Sequence, residues 1–228
     1  ETEPKTDKTD MARIFLIGAT GGVGHRLAPM LIHAGHKLSG LHRKAEQAED
    51  LRAAGVTPVQ GDLMEMDAKA LGRAVAGHDA IVFSAGAAGS GPERTAEIDG
   101  HGPVKMIEAA RAAGIRRLYL VSAMPEAGRG TEVKHGFELY MRTKKEADAA
   151  LSISGLDWVI LRPGTLLDED GDGMVALSRA VTYGTVKRGN VAQTLAALID
   201  RPGIRQEILE LTDGNAPLAD AVDALVRG

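Results

Sequence analysis

The chain of 228 residues contains no cysteine. Disulfides, thiolate metal sites and a cysteine nucleophile are therefore excluded by arithmetic, and a reducing cytoplasm is the compartment that fits. Aromatic residues make up only 3% of the sequence, so Phe83, Phe137, Tyr140, Trp158 and Tyr183 are the few rings available to wall a ligand, and Trp158 reads as core. No apolar run approaches the roughly 20 residues that span a bilayer, and the N-terminus lacks the basic-then-apolar order of a signal peptide. Neither membrane nor leader is expected. Charge of one sign is also missing: 27 Lys and Arg against 31 Asp and Glu give a net charge of −4. The cations are scattered, which leaves no electrostatic footprint for nucleic acid or an anionic membrane. Residues 1–10 are polar and without apolar period, too poor in hydrophobes to repay the entropy of ordering, and are expected to be a disordered tail. Residues 11–228 are long enough for one good core and are expected to form a single domain.

What is present is an alternation of apolar β-prone runs with Ala-rich helical stretches, the signature of a parallel sheet with crossover helices. Strands are expected at 12–17, 37–42, 56–60, 80–84, 117–122, 157–161 and 207–211. Helices are expected at 23–34, 45–54, 68–75, 104–113, 137–154 and 191–200. Gly35, Gly55, Gly77, Gly114 and Gly155 stand where helix C-caps belong. Residues 86–94 and 125–136 read as loops, each following a strand on the side where open α/β sheets bind ligands. From 164 to 189 the pattern is poor, with an acidic-glycine patch at 168–173. That patch lacks the spacing and closing Glu of a calcium loop, so no metal is expected.

The first strand runs into Gly18-Ala19-Thr20-Gly21-Gly22-Val23-Gly24, and a helix follows at once. In this strand-to-helix turn, unpaired backbone N–H groups can meet a pyrophosphate. Gly18 permits the tight turn, Gly21 lets the backbone approach phosphates, Gly24 lets the helix pack on the sheet, and Thr20, Gly22 and Val23 line it. A dinucleotide cofactor is the implied ligand. Which dinucleotide is decided at the end of the second strand, where an acidic residue would bind the adenosine ribose and a basic one a 2′-phosphate. The sequence reads Leu41-His42-Arg43-Lys44, and the planar fork of Arg43 favours NADP(H) over NAD(H). Asp62 and Leu63 follow the third strand, near the expected adenine edge. Ser84, Ala85 and Gly86 close the fourth with small residues, as a backbone pressed against a cofactor requires. Both segments are equally compatible with ordinary turn chemistry.

These residues, with the strand Leu118 to Ser122, Tyr140 and Lys144, and Leu161-Arg162-Pro163-Gly164, resemble the atypical NAD(P)-binding branch of the short-chain dehydrogenase/reductase superfamily. Within that branch the chain is similar to NmrA-like and biliverdin reductase B-like proteins. The resemblance covers Arg13 to about Gly214. It implies a Rossmann-type doubly wound parallel sheet with strand order 3-2-1-4-5-6-7 and a small C-terminal region on the substrate side. It also implies an NADP(H)-dependent oxidoreductase acting on a small carbonyl, quinone or flavin-like acceptor. By carry-over, Tyr140 is the general acid or base, Lys144 lowers its pKa and holds the nicotinamide ribose, and Ser122 hydrogen-bonds the substrate oxygen. Pro163 and Gly164 would orient the carboxamide of the nicotinamide, and Asn190 would cap the penultimate helix. The interval from Ser122 to Tyr140 is longer than is usual in the superfamily, and some members of the branch only sense the cofactor. A non-catalytic NADP(H)-sensing module that binds a protein partner is therefore the alternative. An epimerase with bound NAD fits less well, given Arg43 and the short C-terminal part. His101 and His135 are the histidines nearest the expected cleft, each more readily a surface imidazole than a proton donor. Helix pairs of the kind that dimerise in this superfamily allow a homodimer.

Overall fold

The computed structural model describes residues 11–128 and 135–226. The expected N-terminal tail and the side chain of His135 lie outside the described residues. In chain order the elements are β1 (Arg13–Ile17), α1 (Gly24–His33), β2 (Lys37–His42), α2 (Gln47–Ala53), β3 (Thr57–Gln60), α3 (Ala68–Val75) and β4 (Ala80–Phe83). A short α4 (Pro92–Arg94), a π-helical segment Thr95–His101, α5 (Gly102–Ala113), β5 (Arg117–Val121), α6 (His135–Ser152) and β6 (Asp157–Pro163) follow. The remainder comprises β7 (Thr165–Leu167), β8 (Met174–Ser178), β9 (Thr185–Lys187), α7 (Arg188–Ile199), β10 (Glu207–Asp213), β11 (Ala216–Pro217) and α8 (Leu218–Val226).

The large sheet has the order β11-β8-β10-β6-β5-β4-β1-β2-β3. From β3 to β10 every pairing is parallel, so the expected order 3-2-1-4-5-6-7 is present, with β10 as the seventh strand. The pleat sends successive side chains to opposite faces, and both faces are covered by helices, which is why β1 is apolar from Ile14 to Ile17. Ile14 and Leu16 pack on one face with Leu27 and Leu31 of α1 and Leu195 and Leu198 of α7. Phe15 and Ile17 pack on the other with Leu71 of α3, Met106 of α5 and Leu151 of α6. The five glycines expected to end helices all have positive φ, between 71° and 94°, the left-handed conformation that closes a helix without a Cβ penalty.

Three features differ from expectation. The patternless stretch 164–189 contains three short strands; β8 runs antiparallel beside β10 and extends the sheet edge, while β7 and β9 form a separate parallel pair. The segment before α5 is a π-helix rather than a simple continuation of loop into helix. Asn190 does not cap α7, because the helix already begins at Arg188. Its buried amide instead donates to Asp172, to the Met174 carbonyl and to Asp213, and accepts from the Gly173 N–H. Asn190 thereby fastens the acidic loop to the end of β10.

Candidate functional site

Parallel strands deliver their C-terminal ends to one edge, where the following loops diverge and leave a crevice. Here that crevice is a cleft of about 730 Å³. It is lined by the glycine turn, by the ends of β2 to β5, and by Phe137, Tyr140 and Lys144 of α6.

The glycine turn is built by close approach. Gly18 has φ +94°, and a Cβ there would lie 2.6 Å from the Ala85 nitrogen, so β1 and β4 meet only because the side chain is absent. The Gly21 N–H donates to the Gly18 carbonyl at 3.0 Å and closes the turn. A Cβ on Gly24 would lie 2.1 Å from the Gly18 oxygen. Val23 is buried in the core and anchors the start of α1. The amides of Gly22 and Val23 make no hydrogen bond among the described residues, which leaves them free to receive a phosphate oxygen.

Two arginines absent from the sequence expectations flank this turn. Arg26 donates to the Gly22 carbonyl and pairs with Asp168 and Asp170. Arg188 crosses Gly22 so closely that a Cβ there would sit 2.6 Å from its Cδ, and its guanidinium pairs with Asp168 at 3.6 Å. The acidic-glycine loop thus folds onto the phosphate end of the cleft. Asp172 of the same loop is held by Lys187 and Asn190, whose hydrogen bonds keep it well below the usual carboxylate range.

At the adenosine end, Arg43 lines the cleft, exposed and without an ion pair among the described residues. Gln47 sets the backbone there. Its carbonyl accepts from the Arg43 and Lys44 N–H groups and its amide donates to Thr20 of the glycine turn. Asp62 and Leu63 also line the cleft. One Asp62 oxygen accepts from the Met64 N–H at 2.9 Å, so this residue shapes its own turn as well as facing the cleft.

At the other end, Ser122, Tyr140 and Lys144 come together in the same cavity as Ser84, Ala85 and Gly86, despite the long interval between the serine and the tyrosine. Lys144 is buried; its ammonium donates to the Val121 carbonyl and lies 3.0 Å from an oxygen of the fully buried Asp99. Asp99 comes from the π-helical segment, and its second oxygen accepts from the Ala87 N–H. The ammonium is 5.6 Å from the Tyr140 ring centre. Burial raises the Tyr140 phenol above the usual tyrosine range, and the carboxylates of Asp99 and Asp148 add to the rise. Lys144 does pull the phenol pKa down, as expected, but burial outweighs it. Behind Ser122 stands Asp148, hydrogen-bonded to Arg162 at 2.9 Å and pushed up by burial against the pull of Ser122 and Arg162. The Ser122 hydroxyl and one Asp148 oxygen are near enough to interact but outside hydrogen-bond geometry.

Pro163 and Gly164 are not among the lining residues. The Pro163 carbonyl accepts from the Met124 N–H, and a Cβ on Gly164 would lie 2.1 Å from the Gly184 oxygen. Gly164 thus serves the crossing of β7 with the segment before β9 rather than the cleft. His101 is exposed and bound to Glu97, outside the cleft lining. Among the rings, Phe137 and Tyr140 reach the cleft, Phe83 and Trp158 belong to the core, and Tyr183 is bonded to Thr165 at the surface. Among the described residues, no helix is long and apolar enough to cross a membrane.

A family model described as NAD(P)H-binding matches residues 18–202. The chain belongs to this NAD(P)H-binding family. "Uncharacterized sugar epimerase YhfK" of Bacillus subtilis is 37% identical over 215 residues, which cover 93% of this chain and all of that protein. A solved structure from Bacillus halodurans, provisionally named an NAD-dependent epimerase/dehydratase, has a TM-score of 0.84 at 31% identity, covering 93% of this chain and 99% of its own. ChuY of Escherichia coli O157:H7, named an anaerobillin reductase, has a TM-score of 0.72 at 26% identity, covering 90% and 98%. The resemblance to the atypical short-chain dehydrogenase/reductase branch agrees with this company. The family binds a nicotinamide cofactor, and the cradle fits one: three glycines whose Cβ atoms would collide with neighbouring atoms, and free amides at the start of a helix.

Proposed function

We propose that the protein is an NADP(H)-dependent reductase of a small carbonyl, quinone or flavin-like acceptor. The observation that carries this reading is a single cleft joining the glycine turn and the unpaired Arg43 at one end to Ser122, Tyr140 and Lys144 at the other. Arg43 supports NADP(H), because no carboxylate among the described residues pairs with it and its planar fork suits a phosphate bidentately. When bound, the nicotinamide supplies or takes a hydride. The protein's own groups handle the proton: the Tyr140 phenol donates to the acceptor oxygen as charge develops there, and the resulting phenolate is recharged from solvent. Burial keeps that phenol protonated at neutral pH, which suits an acid in the reductive direction. Lys144, neutralised by Asp99, holds the tyrosine side of the cleft. The Ser122 hydroxyl, beside Asp148 but outside hydrogen-bond geometry with it, supplies a second hydrogen bond to the acceptor oxygen.

Calorimetric titration with NADPH and then NADH, followed by NADPH oxidation with aldehydes, quinones and flavins, tests this. Tighter NADPH binding and acceptor-dependent oxidation are expected. Equal or tighter NADH binding would remove the role of Arg43. Tight NADPH binding without oxidation by any acceptor class would move the protein to the sensing alternative.

A further inference from the structure

Three arginines line the cleft: Arg43, Arg188 and Arg94. The first stands at the end of β2 and the second lies over the glycine turn, both on the cofactor's phosphates in the reading above. Arg94 is left over. It ends α4, which packs against α6, the helix carrying Phe137 and Tyr140, so it belongs to the acceptor end.

Its surroundings are built and incompletely neutralised. The Nε of Arg94 donates to the Ser90 hydroxyl at 3.0 Å, and that hydroxyl donates to the Ala87 carbonyl at 2.5 Å. The loop that carries Ser90 adopts left-handed backbone at Ala88, Gly89 and Gly91, with φ of 50°, 74° and 112°. Alanine is rarely stable there, and such residues persist where the surroundings over-determine them. One edge of the guanidinium is thus pinned while its terminal nitrogens have no protein partner among the described residues. Among the described residues no nearby carboxylate answers the charge. Glu97 is taken by Lys105 and His101, Asp99 by Lys144 and the Ala87 N–H, and Glu93 is exposed and makes no ion pair with Arg94. A half-buried cation without a counter-ion gains by meeting an anion from outside, and a fork with a fixed edge matches a planar or tetrahedral oxyanion.

We propose that Arg94 forms an oxyanion-reading subsite at the acceptor end of the cleft, so that the preferred acceptor carries a carboxylate, sulfonate or phosphate group. This rests on the reductase reading and names its substrate class. The test uses acceptor pairs that differ by one anionic group in each class: FMN against riboflavin, 4-carboxybenzaldehyde against benzaldehyde, and 1,2-naphthoquinone-4-sulfonate against 1,2-naphthoquinone. In at least one pair the anionic member is expected to have the higher kcat/KM by about 10-fold or more, as for a charge-assisted bond. Arg94→Gln should bring that ratio close to one, mainly through KM, with the calorimetric affinity for NADPH unchanged. Ser90→Ala, which frees Nε and removes the hydrogen bond to the Ala87 carbonyl, should lower the ratio part of the way. Equal use of both members in every class that turns over would overturn the subsite, as would an unchanged ratio in Arg94→Gln. Loss of NADPH affinity in that variant would reassign Arg94 to the cofactor. Absence of turnover with all six acceptors despite NADPH binding would fell the reductase reading first, and the subsite with it.

Discussion

Replacing the glycines of the turn one at a time separates backbone contact from side-chain contact. In Gly24→Ala the new methyl would lie 2.1 Å from the Gly18 oxygen, 2.8 Å from the Gly18 carbonyl carbon and 2.9 Å from the Ala19 Cα. All three are backbone atoms, so relief requires the turn to open or the start of α1 to lift off the sheet. Overpacking of this kind costs about 1–3 kcal/mol, set against a gain of about 0.4–1 kcal/mol from the stiffer unfolded chain. The net loss of about 1.3 kcal/mol corresponds to a fall in Tm of roughly 3–5 °C for a chain of this size. Opening the turn also misdirects the Gly22 and Val23 amides, so NADPH binding should weaken at least 10-fold, about 1.4 kcal/mol. In Gly22→Ala the methyl meets only the Cδ and Nε of Arg188, at 2.6 and 2.8 Å, and a flexible side chain can swing away. That variant should hold its Tm within about 2 °C yet bind NADPH more weakly, because Arg188 leaves the phosphate end. Thermal unfolding by circular dichroism without ligand, together with calorimetry, reads both quantities. A Gly24→Ala protein with wild-type Tm and NADPH affinity would refute this account of the turn.

Other substitutions test the two ends of the cleft. Arg43→Met should weaken NADPH binding about 10-fold, the worth of a charge-assisted bond, while leaving NADH affinity unchanged by calorimetry. Tyr140→Phe should lower kcat by about 10²- to 10⁴-fold with NADPH affinity intact. Because burial raises the Tyr140 pKa, the wild-type reduction rate should stay level through neutral pH. It should fall only above the ordinary tyrosine value of about 10, as the phenol loses its proton; a rate that declines between about pH 7 and 9 would point to another acid. Asp99→Asn leaves the Lys144 ammonium buried without its counter-charge, which should cost about 3–5 kcal/mol in denaturant unfolding.

The sheet was legible because its strands are covered on both faces and its helices end on glycines that must turn left-handed. Both facts write themselves into the sequence as apolar runs and punctuation. The cofactor end was legible for a related reason: Gly18 and Gly24 stand where close backbone approach forbids a side chain, and Gly21 stands between them where a Cβ would be tight. Asp99 was not. It sits 45 residues before Lys144, on a π-helix whose register matches neither the helical period nor a loop signal. Arg188 was hidden because its meaning depends on the fold bringing α7 over Gly22. Asp148 carried a faint signal, four residues after Lys144 and eight after Tyr140, hence on the same helical face. Gly164 misled because a glycine after a strand end looks alike whether it clears space for a cofactor or for the Gly184 backbone.

The clasp formed by Arg26 with Asp168 and Asp170 joins the first helix to a loop more than 140 residues later. During synthesis the glycine turn leaves the ribosome early, yet Arg188, α7 and the strand that receives Asn190 are still unmade. Contacts of such sequence separation form late, after the chain between them has been ordered. The phosphate cradle is therefore a product of the nearly complete polypeptide. A fragment ending before Arg188 would carry every residue of the glycine motif and still lack the site.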